Sequence, residues 1–272
     1  MFSPKLKLNN GIEMPQIGLG VYEPELGADT KQAVLWALEV GYRHIDTAAM
    51  YKNERQVGEA IRESGVPRNE IFVTTKVADG NQGFENTLAA YQRSLQKLGL
   101  DFVDLYLIHW PIRGKRKETW RAFEKIYAEK RVRAIGVSNY LVPHLEELFS
   151  YANVIPAINQ IEFTPYCYEI DTLKFCQKHG IQLESYSPLV RGLKQNDTRL
   201  TEIAKNHDKS TYKVLLRWAI QHGIVTIPKS NKIERLYENI EVFDFELSDE
   251  EMNLMNTFND GTRVADNPME YL

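Results

Sequence analysis

Cysteine is scarce in this chain of 272 residues, which contains only Cys167 and Cys176. Two cysteines in a chain of this length do not form a disulfide framework, so we expect both to be reduced, small and partly buried side chains. Cysteine and histidine also form no cluster with the spacing of metal ligands. The sequence therefore predicts no bound metal ion.

Long apolar runs and an excess of positive charge are also missing. The first ten residues contain no apolar signal-peptide segment, and no stretch is long enough to span a bilayer. The net charge is -4, which gives no support for nucleic-acid or membrane binding. These absences predict a cytoplasmic protein, and we expect it to act on a small molecule as a monomer.

Segments that would separate domains are absent as well. No Ser/Gly/Pro-rich stretch, charge block or low-complexity tract interrupts the chain. A (β/α)8 barrel typically needs about 250 residues, so one barrel would use nearly the whole length. We therefore predict a single domain over residues 1–272.

The sequence does contain a series of short apolar runs that each end in a polar residue. Seven of these runs occupy residues 44–46, 71–76, 103–109, 134–139, 157–160, 181–187 and 224–230, and a shorter one occupies residues 17–20. Helical patterns alternate with them at residues 29–41, 54–63, 85–98, 117–130, 143–151, 169–179, 200–206, 211–222, 232–240 and 248–258. Buried parallel strands that deliver polar groups at their C-terminal ends are typical of a (β/α)8 TIM barrel.

An open, doubly wound sheet is the alternative α/β architecture. It predicts a Gly-x-Gly-x-x-Gly turn after the first strand, but the glycines at residues 18 and 20 lack the third glycine at the required place. We therefore favour the barrel. The Asn-Gly pair at residues 10–11 predicts an antiparallel hairpin that caps the bottom of the barrel, and residues 248–258 add an extra C-terminal helix.

Four polar residues form a set that suits proton donation to a carbonyl oxygen: Asp46, Tyr51, Lys76 and His109. A tyrosine hydroxyl has a reference pKa of about 10, so on its own it is a weak acid at neutral pH. A nearby lysine ammonium would lower that pKa, and the aspartate would keep the lysine charged. The histidine would orient the carbonyl, and a cofactor would supply the reductant. Each residue alone has a structural explanation, but their positions at successive strand ends favour catalysis.

Several motifs resemble those of the aldo-keto reductases. Residues 41–54, Gly-Tyr-Arg-His-Ile-Asp-Thr-Ala-Ala-Met-Tyr-Lys-Asn-Glu, are similar to the first signature of that family. Ile-Pro-Lys-Ser at residues 227–230, followed by Arg235 and Asn239, resembles the cofactor signature. Further matches occur, in family order, at residues 107–111, 136–139, 159–160 and 185–188. The resemblance covers nearly the whole chain.

This resemblance implies an NADPH-dependent reductase of aldehydes and ketones on a (β/α)8 barrel. In it, Tyr51 is the general acid, Lys76 and Asp46 tune that acid, and His109 orients the carbonyl. The chain looks most like the compact microbial members, including diketogluconate reductases, and prostaglandin F synthase-like members are similarly compact. Two other functions remain as alternatives: a Schiff-base lyase or aldolase that uses Lys76, and a non-catalytic NADPH-binding regulatory subunit.

The resemblance also implies a cofactor site. Its expected residues are Gly20, Val21, Asp46, Ser138, Asn139, Gln160, Tyr186, Ser187, Leu189, Lys229, Ser230, Arg235, Glu238 and Asn239. Their expected contacts run from the nicotinamide carboxamide and ring, through the pyrophosphate, to the adenosine and its 2′-phosphate. Cationic side chains beside that extra phosphate favour NADPH over NADH. Many relatives have threonine at the position of Val21, so only a backbone contact to the ribose would be kept here.

The substrate pocket is expected to be lined by Tyr22 and Trp110, with His109 at its base. The segment between Pro111 and Trp120 and the tail after Phe258 are both short. Relatives that bind steroids or long lipids usually have longer segments there, so we expect an open and permissive pocket. Small aldehydes, dicarbonyls and keto-sugars fit such a pocket, and lipid carbonyls remain an alternative.

Overall fold

Eight parallel strands form the wall of a barrel in the computed structural model, which describes residues 3–22 and 29–272. A hairpin of β1 (Lys5–Lys7) and β2 (Glu13–Pro15) precedes them. The barrel strands are β3 (Leu19–Gly20), β4 (His44–Asp46), β5 (Phe72–Val77), β6 (Val103–Ile108), β7 (Val132–Ser138), β8 (Ile158–Glu162), β9 (Gln182–Tyr186) and β10 (Val225–Ile227). Each strand from β3 to β9 pairs in parallel with the next one along the chain.

Backbone hydrogen bonds between the two ends of this sheet close the barrel. The Gly18 N–H donates to the Thr226 carbonyl at 2.8 Å, and the Thr226 N–H donates to the Gln16 carbonyl at 2.9 Å. The backbones approach closely at Gly20, where an added Cβ would lie 2.8 Å from the Ile227 carbonyl oxygen. The predicted (β/α)8 barrel is therefore confirmed, and the open sheet is wrong.

Helices follow the barrel strands in the predicted alternation. Their bounds are α1 (Thr30–Val40), α2 (Glu54–Glu63), α3 (Phe84–Leu98), α4 (Arg116–Ala128), α5 (Val142–Phe149), α6 (Ile170–Lys178), α7 (Thr198–Asn206), α8 (Thr211–Gln221), α9 (Ile233–Ile240) and α10 (Asp249–Asn256). Two helices, α7 and α8, follow β9, and α10 is the extra C-terminal helix. Side-chain caps set several starts: Asp29 accepts from the Gln32 N–H, and Ser248 and Glu251 form a capping box.

The hairpin lies at the N-terminal ends of the barrel strands, as predicted. The Asn9 side-chain amide donates to the Pro156 carbonyl at 3.0 Å, just before β8. The Asn10 amide donates to the Arg133 carbonyl at 3.0 Å, at the start of β7. Both acceptors are at the bottom of the barrel, so the hairpin covers the end opposite to the carboxyl ends of the strands.

An apolar floor fills the lower interior of the barrel beneath this cap. It consists of buried side chains from the hairpin region and from the barrel strands: Leu8, Met14, Phe72, Leu105, Leu107, Ala134, Ala157, Ile158 and Val225. A larger apolar cluster lies between the outer face of the strands and the helices. Burial of these two clusters supplies most of the driving force for folding.

Neither a membrane-spanning helix nor a metal-binding cluster is found among the described residues. Within residues 3–22 and 29–272, no helix has the length and apolar composition needed to cross a membrane. The same ranges contain no group of three or more His, Cys, Asp or Glu side chains placed to hold a metal ion. Cys167 and Cys176 are free and buried, and burial raises the pKa of each thiol to about 12.

Candidate active site

Strands β4, β5 and β6 bring the four predicted catalytic side chains together at the carboxyl end of the barrel. Asp46 ends β4, Tyr51 ends the short 3-10 turn that follows it, Lys76 lies in β5, and His109 follows β6. The Lys76 Nζ lies 2.5 Å from Asp46 Oδ1 and 3.4 Å from the Tyr51 hydroxyl oxygen. It also donates to the Thr47 carbonyl at 3.1 Å, so all three of its N–H bonds are used within the protein.

His109 packs against the ring of Tyr51. The centres of the two rings are 5.5 Å apart, at an interplanar angle of 73°. The Asn139 amide holds the His109 backbone by donating to its carbonyl at 2.9 Å. Burial, together with the positive charge of Lys76, lowers the pKa of His109 to about 3. The imidazole is therefore neutral at physiological pH, and its N–H can donate to a carbonyl oxygen without giving up the proton.

Burial opposes the effect of Lys76 on the pKa of Tyr51, and the prediction from sequence did not include burial. Burial of the phenol raises its pKa by more than the Lys76 ammonium lowers it, so the hydroxyl keeps its proton. Burial also acts to lower the pKa of Lys76, but the negative charges of Asp46 and of an ionised Tyr51 outweigh this and raise it. The site therefore pairs a protonated phenol with a charged ammonium, which is ready to stabilise the phenolate after proton transfer.

One cavity of about 740 Å³ connects the Tyr51 hydroxyl with most of the predicted cofactor residues. The predicted residues that line it are Gly20, Asp46, Ser138, Asn139, Gln160, Tyr186, Ser187, Leu189, Lys229, Ser230, Arg235, Glu238 and Asn239. The predicted substrate residues Tyr22, His109 and Trp110 line it as well. Residues that are far apart in sequence are therefore brought to one continuous space.

Val21 is the exception among the predicted cofactor residues, because it does not line this cavity. Its backbone N–H donates to the Asp46 carbonyl at 3.0 Å, and its carbonyl accepts from the Asn53 amide at 2.8 Å. Both backbone groups are thus engaged within the protein, which weakens the predicted backbone contact to a ribose. Lys76 is also absent from the lining, because it is fully buried beneath Tyr51.

The donors and acceptors of the cavity fit a nicotinamide dinucleotide. Near Tyr51 lie the hydroxyl of Ser138 and the amides of Asn139 and Gln160, which match a carboxamide. The Tyr186 hydroxyl donates to Asn139 Oδ1 at 2.8 Å, which fixes both side chains. Asn139 has a positive φ of 66°, a conformation that asparagine tolerates better than most residues. Elsewhere on the lining, Lys229 and Arg235 supply the positive charge that phosphate groups require.

The C-terminal tail forms one wall of the cavity through Val264, Ala265 and Asp266, which the sequence did not identify. The buried Glu162 carboxylate at the end of β8 accepts from the Val264 N–H at 2.8 Å and from the Ala265 N–H at 3.2 Å. Further on, the Tyr271 ring stacks on Trp110, with ring centres 5.1 Å apart. The tail is therefore anchored and closes one side of the pocket.

Two ionisable residues inside the barrel, His44 and Glu184, were also missed as parts of the site. Both are fully buried, and His44 Nε2 lies 3.6 Å from Glu184 Oε1. They lie two residues before Asp46 and Tyr186, so the alternation of strand side chains directs each pair to the same face. Both are ionisable residues within the apolar sequence of a buried strand, and this feature could have identified them from the sequence.

The barrel, the four predicted catalytic side chains and a cavity whose lining fits a nucleotide are the features expected of a nicotinamide-dependent carbonyl reductase. The Aldo/keto reductase family model matches residues 16–260. Glyoxal reductase of Bacillus subtilis (strain 168) is 52% identical over 267 residues, which cover 98% of this chain and 97% of the relative. The 9,11-endoperoxide prostaglandin H2 reductase of Trypanosoma cruzi (strain CL Brener) is 51% identical over 264 residues, covering 96% and 93%.

A solved structure agrees with this comparison. The aldo-keto reductase of Bombyx mori in complex with NADP superposes with a TM-score of 0.92 at 39% identity, covering 98% of this chain and 96% of that one. The chain belongs to the aldo/keto reductase family and is an oxidoreductase that reduces carbonyl groups with NADPH. The family assignment expected from the motifs is therefore confirmed.

Proposed function

We propose that Tyr51 is the general acid of this reductase and gives its proton to the carbonyl oxygen of the substrate. The observation that carries this proposal is the position of its hydroxyl, which lines the cavity 3.4 Å from the buried Lys76 ammonium. The neutral imidazole of His109 donates a hydrogen bond to the same oxygen and orients it. Lys76, held by Asp46, then stabilises the phenolate that proton transfer leaves behind.

The cofactor, when bound, supplies the hydride that reaches the carbonyl carbon. We propose that Ser138, Asn139 and Gln160 hold its carboxamide and that Tyr186 stacks on the nicotinamide ring. Ser187 and Leu189 cover the pyrophosphate. The 2′-phosphate binds at Lys229, Ser230 and Arg235, and the adenine lies against Glu238 and Asn239. Their common position on one cavity lining supports this assignment.

The alternative of a Schiff-base enzyme needs a neutral lysine that contacts substrate. Lys76 meets neither condition, because it lies outside the cavity lining and its ion pair with Asp46 keeps its pKa above the ordinary value. A non-catalytic NADPH-binding regulator has no need for a buried acid with its supporting pair. Catalytic reduction therefore remains the better supported function.

The substrate class that we propose is small aldehydes, dicarbonyls and keto-sugars. The similarity to a glyoxal reductase supports it, as does a cavity whose outer part is lined by Tyr22, Met50 and Trp110. Lipid carbonyls are the second candidate, because another relative is a prostaglandin H2 reductase and because Tyr22 and Met50 expose apolar surface there. We also propose that the chain is one domain and acts as a cytoplasmic monomer that does not bind nucleic acid, in keeping with its net charge of -4.

Replacement of Tyr51 by phenylalanine tests the proposal. The variant keeps the ring and loses only the proton donor, so kcat/KM for methylglyoxal and nitrobenzaldehyde should fall by roughly 10²–10⁴. The Kd for NADPH should stay unchanged. Tyr237→Phe is the control, since this exposed tyrosine lies outside the cavity lining. If Tyr51→Phe keeps most of its turnover, a different group is the acid.

A further inference from the structure

The side-chain amide of Gln160 is held from inside the barrel by two carboxyl groups. Its Nε2 donates to Asp46 Oδ2 at 2.8 Å and to Glu184 Oε2 at 2.8 Å. A primary amide has two N–H bonds, so both are used within the protein. Because Gln160 also lines the cavity, the group that it offers to a ligand is its carbonyl oxygen, a hydrogen-bond acceptor.

Glu184 lies between Gln160 and the buried ring of His44. It is fully buried in β9, does not line the cavity, and lies 3.6 Å from His44 Nε2 through its second oxygen. The His44 ring is wedged against Gly18, where an added Cβ would lie only 2.3 Å from Nδ1. His44 Nε2 also lies 3.3 Å from the Thr74 hydroxyl. The Glu184 carboxyl is therefore enclosed by protein, and its hydrogen bond is the one to Gln160.

We propose that Glu184 is a positioning residue for the cofactor, because it holds the Gln160 amide so that its carbonyl oxygen accepts from the N–H₂ group of the nicotinamide carboxamide. The proposal rests on the cofactor site proposed above. Asp46 alone binds one N–H of Gln160 and leaves the other free to turn toward the cavity. Glu184 binds that second N–H and so prevents Gln160 from presenting a donor where an acceptor is needed.

The role does not require a charge on Glu184. Burial, with the negative charge of Asp46, raises the pKa of Glu184 to about 8, so the carboxyl is mostly protonated at neutral pH. A protonated carboxyl still accepts a hydrogen bond at its carbonyl oxygen. A glutamine at this position offers a carbonyl oxygen acceptor in a side chain of the same shape. Glu184→Gln should therefore keep the positioning function.

The test compares NADP⁺ with adenosine 2′,5′-bisphosphate, which has the adenosine end of the cofactor but no carboxamide. Glu184→Met keeps the length of the side chain without an acceptor. Its Kd for NADP⁺, measured by calorimetry, should rise by about tenfold at most, the value of one hydrogen bond. Its Kd for the bisphosphate should not change. Glu184→Gln should bind both ligands like the wild type. Glu184→Leu is a second variant without an acceptor, in case the methionine variant folds poorly.

A double-variant cycle tests whether Glu184 acts through Gln160. In a Gln160→Met background, Glu184→Met should cause no further loss of NADP⁺ affinity, because the amide that it positions is already absent. A full additional loss would overturn the proposal. Equal losses of affinity for NADP⁺ and the bisphosphate would indicate general damage and would also overturn it. Unchanged NADP⁺ binding by Glu184→Met would overturn it as well. If the wild type binds neither ligand, the proposed cofactor site itself is wrong.

Discussion

Arg235 is an exposed residue of α9 on the cavity lining, and the proposed preference for NADPH depends on it. Its replacement by alanine removes charge-assisted hydrogen bonds to the 2′-phosphate, each of which contributes about 1.5–3 kcal/mol. We expect the Kd for NADPH to rise at least tenfold and the Kd for NADH to stay the same. Fluorescence titration of both nucleotides at fixed ionic strength measures the difference.

A matched control is available in Arg121, an exposed arginine of α4 that pairs with Glu118 and does not line the cavity. Arg121→Ala should bind both nucleotides like the wild type. Similar losses of NADPH and NADH affinity in Arg235→Ala would contradict the phosphate contact and indicate a role in binding the shared part of the two nucleotides.

At the scale of single residues, the sequence predicted which side chains meet at the site better than it predicted their pKa values. Tyr51, Lys76 and His109 were identifiable because each lies in a motif or at a strand end. Lys76 does act to lower the pKa of Tyr51, but the net shift is upward, because it depends on how completely the fold removes the phenol from water. Glu184 was missed because its partners, Gln160 and His44, come from other strands and become neighbours only when the barrel closes.

The C-terminal tail packs on Trp110 through the ring of Tyr271, in addition to its anchor at Glu162. Tyr271→Ala removes the ring that packs on Trp110, and such aromatic pairs contribute about 0.5–1.5 kcal/mol. We expect a higher KM for carbonyl substrates, because the wall formed by the tail loosens, with little change in the Kd for NADPH. Amide hydrogen exchange over residues 263–271 should become faster.

Tyr271→Phe is the matched comparison, since it keeps the ring and loses only the hydroxyl and its interaction with Asp266. Its KM and its exchange rates should stay closer to those of the wild type than the values of Tyr271→Ala. An unchanged KM in Tyr271→Ala would show that the remaining contacts of the tail, at Glu162 and Arg116, hold the wall in place without the stacked ring. A change in NADPH affinity of similar size would place the effect in the cofactor site instead.

Among the elements, those with a repeating pattern were predicted with the closest bounds, and the short strand at residues 17–20 was predicted without its contacts. Helices such as α2 were found within a turn of their bounds, because apolar residues recur at helical spacing and caps mark the ends. The two-residue strand β3 closes the barrel through backbone contacts, which carry almost no sequence pattern. The tail has no period at all, and its position depends on a carboxylate, Glu162, about a hundred residues earlier.

For the molecule as a whole, the buried Glu184 links stability to pH. Its pKa is raised to about 8 by burial and by Asp46, whereas in the unfolded chain it returns to an ordinary value of about 4.3. Between these values the folded state holds a proton that the unfolded state releases. The contribution of Glu184 to stability is therefore complete below the unfolded pKa and is lost as the pH rises through 8.

Comparison with Glu184→Gln isolates this effect from other buried groups, such as His44, whose pKa burial lowers to about 3. From pH 5 to pH 8, the free energy of unfolding of the wild type should fall relative to that of the variant by up to about 1.4 kcal/mol per pH unit. Urea unfolding of both proteins at each pH measures the gap. Parallel curves would show that Glu184 is ionised in the folded protein throughout this range.

The division of the barrel interior into an apolar floor and a polar upper layer has a practical consequence for protein engineering. The floor residues, such as Leu105 and Ala134, contribute to cohesion but make none of the hydrogen bonds described for the catalytic group. Thermal stability can thus be increased by substitutions among the floor residues, while substrate selectivity is changed by substitutions in the cavity lining. The effects of the two sets of substitutions should be additive.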